Sequence, residues 1–205
     1  MKKEILENHK RYSERVDFYR SFGYDLEKER SFIVDKSLPI SGEILEIGTG
    51  KGHFVLALAN RGYNFVSIDI SAQEQAIAKL NIQYLGLEKQ CTFKIENAEQ
   101  LNFSDRSFDT VFSVNVFYHL EKPLAVLDEI IRLLRPKGKV VLSDFNKKGL
   151  EIINMCHVHE GRTHNHFKNR LDEANDYFLH KGFIVNEFQS EVQRIVIARE
   201  KQTNR

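Results

Sequence analysis

Two apolar runs joined by a glycine-rich loop constrain the fold of this chain most. The first run ends in Glu46 and leads into Gly48, Gly50 and Gly52, and the second ends in Asp69. Because glycine has no Cβ, glycines at alternate positions let the backbone turn sharply and approach a ligand closely. An acid after the second strand is placed to accept hydrogen bonds from ribose hydroxyls. The pattern predicts a strand–loop–helix–strand unit that binds a nucleoside cofactor.

The glycine spacing separates this loop from two common nucleotide-binding loops. A dinucleotide fingerprint requires a glycine three residues after its second one, and that position is His53. A phosphate-binding loop ends in Gly-Lys-Ser/Thr, which is also absent from this motif. The spacing therefore weighs against NAD and FAD, and a nucleotide-dependent oxidoreductase is a distant alternative.

The rest of the chain predicts alternating strands and helices. Helical periodicity follows the glycines, and Ser71 with Glu74 forms a capping box for the next helix. Such alternation argues for a parallel sheet covered on both faces. Strands are predicted at 43–47, 65–70, 91–95, 108–114 and 140–145, followed by an antiparallel hairpin at 183–188 and 192–198.

The first forty residues differ in pattern from the remainder. Residues 3–36 carry apolar and aromatic side chains at helical spacing, with a break at Gly23, and 39–42 is rich in turn-forming residues. We therefore predict an N-terminal helical cap segment at 1–40 and one α/β domain at 41–205.

The composition of the chain limits the kinds of partner that it is expected to bind. A net charge of +1 on 205 residues gives no field that would hold nucleic acid or an anionic membrane. There is no apolar run of membrane-spanning length and no apolar stretch typical of a signal peptide. Cys91 and Cys156 form neither a disulfide framework nor a paired metal motif. We expect a cytoplasmic protein without nucleic-acid or membrane partners; the oligomeric state stays open.

From residue 46 onward the chain resembles the class I S-adenosylmethionine-dependent methyltransferases. Residues 46–52 match the motif E/D-x-G-x-G-x-G of that family, and Asp69 matches its ribose-binding acid. Residues 97–103, 107–111, 115–120 and 134–139 are similar to four further family segments in the same order. The resemblance covers about a hundred residues and departs from the family pattern at Asn97 and Asn102, where Asp and Pro are usual.

This resemblance implies a Rossmann-like, open, mostly parallel seven-stranded sheet with helices on both faces and an antiparallel C-terminal strand. It implies S-adenosylmethionine as methyl donor. The residues it assigns to cofactor binding are Glu46, Gly48, Thr49, Gly50, Gly52, Asp69, Ile70, Asn97, Ala98, Glu99 and Asn115. An N-terminal segment closes over the site in many members, so Tyr12 and Tyr19 are candidate substrate contacts, as is Tyr118 beside the cofactor.

Histidines supply the candidates for proton transfer. His119 follows the fourth strand, at the ligand-binding edge of the sheet, and is a candidate base or substrate contact. Half of the eight histidines lie between 157 and 166, where this family usually builds its substrate-binding insertion. In an extended segment His157 and His159 would point the same way, as would His164 and His166.

Three interpretations of this histidine segment stay open. In the favoured one it is a lid on the substrate pocket, with His157 and His159 as catalytic candidates and His164 and His166 as substrate contacts. In the second, the four histidines bind a divalent metal, although the string His-Glu-x-x-x-His is one residue longer than the zinc-protease motif. In the third it is a solvated polar loop.

The favoured hypothesis is a methyltransferase that moves a methyl group from S-adenosylmethionine to a small-molecule acceptor by in-line displacement. Such a reaction chiefly requires that the nucleophile be held near the methyl carbon and that water be excluded. The alternatives are a metal-assisted methyltransferase and a regulatory protein that binds the cofactor without catalysis.

Overall fold

The computed structural model describes residues 2–159, 161 and 170–200 of the chain. Seven strands lie in one sheet: β1 (Ile44–Ile47), β2 (Phe65–Asp69), β3 (Cys91–Ile95), β4 (Phe108–Val114), β5 (Leu134–Phe145), β6 (Phe183–Gln189) and β7 (Gln193–Glu200). The helices are α1 (Lys3–Ser21), α2 (Leu26–Lys36), α3 (His53–Ala59), α4 (Ala72–Tyr84), α5 (Pro123–Leu133), α6 (Lys147–His159) and α7 (Leu171–His180).

The sheet has the strand order β3-β2-β1-β4-β5-β7-β6. All pairings from β3 to β5 are parallel, whereas β7 pairs antiparallel with both β5 and β6. The predicted fold class, an open and mostly parallel seven-stranded sheet with a reversed C-terminal strand, is confirmed. Chain order reverses between β1 and β4, and ligands of such sheets bind beyond the carboxyl ends of the strands at that point.

Each face of the sheet is covered by its own apolar cluster. On one face α5 and α7 bury Leu127, Ile130 and Phe178 against the sheet. On the other, α2 and α3 bury side chains that include Ile33 and Val55. Coverage of both faces explains why β1 and β4 are buried at nearly every position instead of at alternating ones.

Two elements differ from the predictions. Strand β5 begins at Leu134 rather than 140, because Leu134 pairs with Phe108 ahead of a register shift in β4. Residues 147–159, for which no helix was predicted, form α6. The side chain of Asn146 caps this helix by accepting from the Gly149 N–H at 2.9 Å.

Helix α6 packs by an apolar face against the first two helices. Ile152, Ile153 and Cys156 are buried in a cluster with Tyr19, Tyr24 and other side chains. Gly149 is required there because a Cβ would lie 2.2 Å from the carbonyl oxygen of Val192. The chain after β5 is thus brought back over the carboxyl edge of the sheet, next to α1 and α2.

Candidate functional site

An open cleft of about 600 Å³, here called the main cleft, lies beyond the carboxyl ends of β1, β2 and β4. Eight of the eleven predicted cofactor-binding residues line it: Gly48, Gly50, Asp69, Ile70, Asn97, Ala98, Glu99 and Asn115. Val116 and Leu120, from the segment 115–120 that resembles the family, also line it. Ile47, Ile68 and Glu74 line it as well and were not predicted.

The glycine loop is shaped by close backbone packing. Gly48 has φ +94°, and a Cβ there would lie 2.1 Å from Cγ2 of Val116. Gly52 has φ +84°, and its Cβ would lie 2.8 Å from the Cβ of Ala78 in α4. Gly50 has φ +47° with nothing within 4 Å, so the loop presents bare backbone to the main cleft there. Gly48 and Gly52 therefore allow close packing against Val116 and Ala78, and Gly50 leaves room for a ligand beside the loop.

Asp69 ties the loop to the end of β2. Its Oδ2 accepts from the Gly50 N–H at 2.7 Å, and its Oδ1 accepts from the Ser71 N–H at 2.8 Å. Ile70, the next residue, is 73% exposed, which is unusual for an isoleucine. A carboxylate beside an exposed apolar side chain suits a ribose with its attached base, because one binds hydroxyls and the other covers a flat ring.

The opposite wall of the main cleft is the turn after β3. The Asn97 Oδ1 accepts from the Glu99 N–H at 3.0 Å, so this side chain orders the turn itself. An amide oxygen has two lone pairs, and one of them is still available to a ligand. Asn97, which stands where the family usually has Asp, therefore still offers a hydrogen-bond acceptor to a ligand.

Glu46, Thr49 and Gly52 lie beneath the loop and do not line the main cleft. Glu46 is fully buried, and the Ser67 hydroxyl donates to its Oε2 at 2.5 Å. Thr49 lies 2.5 Å from the same hydroxyl. The predicted direct cofactor contact is thus corrected for Glu46, because a side chain with no exposed surface supports the loop from below.

Burial raises the pKa of Glu46 to about 8, although the bond from Ser67 opposes that rise. Unfolding exposes the carboxyl and returns its pKa toward 4.5, so between these values unfolding releases a proton. The contribution of Glu46 to stability therefore falls as the pH rises from about 4.5 to about 8. We expect Glu46→Gln to lack this fall, so that its stability relative to the natural protein increases with pH by on the order of a few kcal/mol. Urea unfolding of both proteins across this pH range measures the difference, and parallel profiles would contradict it.

A second, narrower space of about 200 Å³, here called the side cavity, adjoins the main cleft. Asn115 and Glu74 line both spaces. The side cavity is lined by residues of α1, α2, the glycine loop, the end of β5 and α6. Its aromatic wall consists of Tyr19, Tyr24, Tyr118 and Phe145, and its charged groups are Arg15, Arg30, Lys51 and Glu74.

Asn115 stands at the boundary between the two spaces. It has φ +58°, a backbone conformation rarely adopted by residues other than glycine. Its N–H donates to the Ser143 carbonyl at 2.7 Å, and its buried Oδ1 has no hydrogen-bond partner among residues 2–159, 161 and 170–200. A strained residue with an unsatisfied acceptor is typical of a ligand-contacting position.

Burial favours the neutral forms of three side chains that line the side cavity, Tyr24, Tyr118 and His53. Desolvation raises the pKa values of the Tyr24 and Tyr118 hydroxyls. Desolvation, together with the charges of Arg30, Arg15 and Lys51, lowers the pKa of His53 to about 3. His53 is therefore uncharged and too weak a base to take a proton near neutral pH.

The structure separates the predicted histidines. His157 is buried and lines the side cavity, whereas His159 is exposed, with its ring centroid 5.7 Å from that of Phe18. Two residues along a helix differ by about 200°, so the predicted common direction of His157 and His159 is wrong. His119 lines the main cleft, with its ring centroid 3.9 Å from that of Tyr118. His164 and His166 lie outside the described residues.

The metal interpretation gains no support from the part of the chain that the structure describes. Among those residues, no group of three His, Cys, Asp or Glu side chains is arranged to hold an ion. His157 and His159 lie on different sides of α6 and do not form the predicted adjacent ligand pair.

Only some of the tyrosines predicted to contact the substrate line the side cavity. Tyr19 and Tyr118 line the side cavity. Tyr12, on α1, instead faces the start of α3, with its ring centroid 5.3 Å from that of His53. Sequence reasoning missed Tyr24, Arg15, Arg30, Lys51 and His53. Lys51 and His53 follow the glycines directly and could have been found there, whereas the others come together only through packing of the first two helices.

The residues of the main cleft fit S-adenosylmethionine. Bare backbone at Gly50 leaves room for a ligand, the Asp69 carboxylate and exposed Ile70 suit the adenosine, and Asn115 offers an unsatisfied acceptor toward the side cavity. The main cleft and the side cavity meet at Asn115, so a donor and an acceptor can be held on either side of it.

Comparison with known proteins agrees with this geometry. Residues 45–142 match a family described as a methyltransferase domain. The ubiquinone biosynthesis O-methyltransferase of Dechloromonas aromatica is 30% identical over 125 residues, which are 60% of this chain and 53% of that protein. The tRNA U34 carboxymethyltransferase of Nautilia profundicola is 25% identical over 118 residues, which are 57% of this chain and 38% of that protein. The chain thus spans about half, or less, of the length of these curated relatives.

A solved structure extends the similarity to most of the chain. A SAM-dependent methyltransferase from Methanosarcina mazei shares 25% sequence identity with a TM-score of 0.61, covering 82% of this chain and 96% of that one. The matched domain includes β1, the glycine loop, Asp69 and β4, which are the elements that build the main cleft. Residues 45–142 thus form a methyltransferase domain, and the fold agrees with that of the class I S-adenosylmethionine-dependent methyltransferases that the sequence resembles.

Proposed function

We propose that this protein transfers a methyl group from S-adenosylmethionine to a small-molecule acceptor bound in the side cavity. The observation that carries the proposal is the junction at Asn115, where the main cleft meets a separate, smaller space. At about 200 Å³ this space is smaller than the about 300–1,000 Å³ typical of sites for drug-sized ligands, which favours a small acceptor. The O-methyltransferase relative named above is consistent with that class of acceptor.

The residues of this chain would bind and orient the two reactants. Gly48, Gly50, Asp69, Ile70 and the 97–99 turn would hold S-adenosylmethionine, which supplies an electrophilic methyl group on its sulfonium. Asn115 and the aromatic wall of the side cavity would fix the acceptor in line with that group and exclude water. Positioning of this kind supplies much of the acceleration of a displacement that needs no covalent intermediate.

A base is needed only if the attacking atom starts protonated. Of the histidines predicted to be catalytic, His157 is the one that lines the side cavity, so we assign it contact with the acceptor. His119 lines the main cleft and would face the cofactor instead. We propose in addition that residues 1–40 cap the site, since α1, α2 and the connection between them supply Arg15, Tyr19, Tyr24 and Arg30 to the side cavity.

The two histidines of α6 form a matched pair of variants. We expect His157→Ala to lower the rate constant kcat/KM for the acceptor by about 10- to 100-fold, because it removes a polar contact or base at the reacting group. His159→Ala, two residues away on the exposed side, should stay within about twofold. Initial rates at saturating S-adenosylmethionine measure both, and equal losses in the two variants would contradict the assignment.

Release of S-adenosylhomocysteine from labelled S-adenosylmethionine, measured against a panel of phenols, amines, carboxylates and phosphates, tests the proposed activity. We expect acceptor-dependent turnover. Tight cofactor binding with no turnover on any acceptor would favour the non-catalytic alternative. Loss of turnover on chelation, with bound metal found by elemental analysis, would favour the metal-assisted one.

A cytoplasmic location is part of this proposal. Both cysteines are free thiols, which suits a reducing compartment. In the part of the chain with described structure, no helix is both long and apolar enough to cross a membrane.

A further inference from the structure

Glu74 carries a carboxylate that has no partner in the described part of the chain. The sequence predicts a capping box, in which the Glu74 side chain accepts from the Ser71 N–H at the start of α4. Only half of that box forms. The Ser71 hydroxyl accepts from the Glu74 N–H at 3.1 Å, whereas the Ser71 N–H donates to Asp69 Oδ1 at 2.8 Å. Within residues 2–159, 161 and 170–200, the Glu74 side chain forms no hydrogen bond or ion pair, so its carboxylate is available to a ligand.

The Glu74 carboxylate lies where the two spaces of the site meet. Of the described residues, Glu74 and Asn115 are the two that line both the main cleft and the side cavity. Glu74 belongs to α4, and Asn115 directly follows β4. The Asn115 Oδ1 is buried and likewise accepts no hydrogen bond from any described residue. Two unsatisfied acceptor groups, one of them charged, therefore lie at the same boundary, which indicates that a ligand contacts both.

The charges that line the main cleft are negative. Its described lining residues include no Lys or Arg and five carboxylates, those of Asp69, Glu74, Glu96, Glu99 and Glu121. Glu99 pairs with Lys122 at 3.4 Å, which offsets part of this charge. The cations Arg15, Arg30 and Lys51 line the side cavity and not the main cleft. A ligand in the main cleft therefore meets a potential that favours positive charge.

The donor and the product of methyl transfer differ in charge at one atom. In S-adenosylmethionine the sulfur is a positively charged sulfonium. When its bond to the methyl carbon breaks, the electron pair stays on the sulfur, which becomes a neutral thioether, and the methyl carbon bonds to the acceptor atom. The adenine, ribose, ammonium and carboxylate groups are the same in both molecules. A difference in affinity between donor and product therefore reports on the groups around the sulfur.

We propose that Glu74 makes the protein select the methyl donor over the demethylated product. Its carboxylate, together with the Asn115 Oδ1, stabilises the sulfonium at the junction and has no charge to stabilise on the thioether. Opposite charges in a partly desolvated site attract each other more strongly than in water. The assignment rests on the proposed function, in which the sulfur lies where the main cleft meets the side cavity. Its consequence is that the product binds more weakly than the donor and leaves after transfer.

Calorimetric titration of the natural protein with S-adenosylmethionine, sinefungin and S-adenosylhomocysteine tests the proposal. Sinefungin carries a protonated amine in place of the methyl sulfonium and cannot donate a methyl group. We expect both cationic ligands to bind about 10-fold or more tightly than S-adenosylhomocysteine at low ionic strength, and this preference to shrink in high salt. Equal affinity for all three ligands, or tighter binding of the product, would overturn the proposal.

Variants of Glu74 connect that preference to the residue. Glu74→Gln keeps the size of the side chain and removes its charge, so it should lose about 5- to 20-fold in affinity for both cationic ligands. Its affinity for S-adenosylhomocysteine should stay within about twofold, and Glu74→Asp should keep part of the preference. Glu88→Gln removes an exposed carboxylate that does not line the main cleft, and it should keep the whole preference.

Equal losses for all three ligands in Glu74→Gln would mean that Glu74 binds the shared ammonium group, and would refute its role at the sulfur. Should that variant fail to fold, the comparison of the three ligands on the natural protein still decides the matter. Failure of this inference differs from failure of the proposed function. A protein that binds the three ligands equally contradicts only the selection by Glu74. One that prefers the cationic ligands but methylates no acceptor contradicts only the proposed activity.

Discussion

Replacing Asp69 by alanine weakens the binding of S-adenosylhomocysteine by about 100-fold or more. The carboxylate is placed to accept from two ribose hydroxyls, and loss of hydrogen bonds to a charged group costs about 1.5–3 kcal/mol each. The substitution also removes the acceptors for the Gly50 and Ser71 N–H groups, so the glycine loop loses its connection to β2. Calorimetric titration of each protein measures the change in affinity.

Two comparisons show whether this loss reflects the ribose contact. Asp69→Asn keeps one acceptor oxygen and should retain more affinity than Asp69→Ala. Glu88→Ala removes an exposed carboxylate that does not line the main cleft, and it should bind within about twofold of the natural protein. If Asp69→Ala bound S-adenosylhomocysteine as tightly as the Glu88 control, the ribose would not lie against Asp69.

Gly48→Ala destabilises the protein more than Gly50→Ala. At Gly48 the new Cβ would lie 2.1 Å from Val116 Cγ2, on a backbone with φ +94°. Overpacking costs about 1–3 kcal/mol and left-handed backbone about 1–2 kcal/mol, so the expected loss is about 2–5 kcal/mol. Gly50 has φ +47° with nothing within 4 Å, so only the backbone cost of about 1–2 kcal/mol applies.

Binding distinguishes the two glycines further. The Cβ of Gly50→Ala would stand in the main cleft, so this variant should bind S-adenosylhomocysteine weakly while melting only about 2–8 °C below the natural protein. Gly48→Ala should lose both stability and binding, because displacement of Val116 moves a wall of the same cleft. Thermal unfolding and calorimetry of both variants provide the test, and equal melting temperatures would contradict the packing role of Gly48.

Most of the sheet could be predicted from the sequence because burial on both faces leaves strong local signals. Strands β3 and β4 begin and end where the apolar runs do, and Pro123 marks the start of α5. Helix α6 was missed because its histidines and polar residues hide a narrow apolar face formed by Ile152, Ile153 and Cys156. Its helical state depends on packing against α1 and α2, which periodicity does not reveal.

The two parts of the site also differ in how far the sequence predicts their residues. The residues of the main cleft follow strand ends within one βαβ unit, so Gly50 and Asp69 could be placed from spacing alone. The residues of the side cavity come from five or more separate elements, and Arg30 looks like any charged residue of an amphipathic helix. Only tertiary packing buries it and leaves its Nε and Nη1 without a hydrogen-bond partner among the described residues, so no local pattern predicts it.

A structure of the complex with S-adenosylhomocysteine tests the account most directly. It should show the adenosine between Ile70 and the 97–99 turn, the ribose on Asp69, and the sulfur facing Asn115 and the side cavity. In that arrangement a methyl group on the sulfur would point at an acceptor beside Tyr118 and Arg30. A sulfur turned away from the side cavity, or a ligand bound elsewhere on the chain, would contradict a site in which the main cleft holds the donor and the side cavity holds the acceptor.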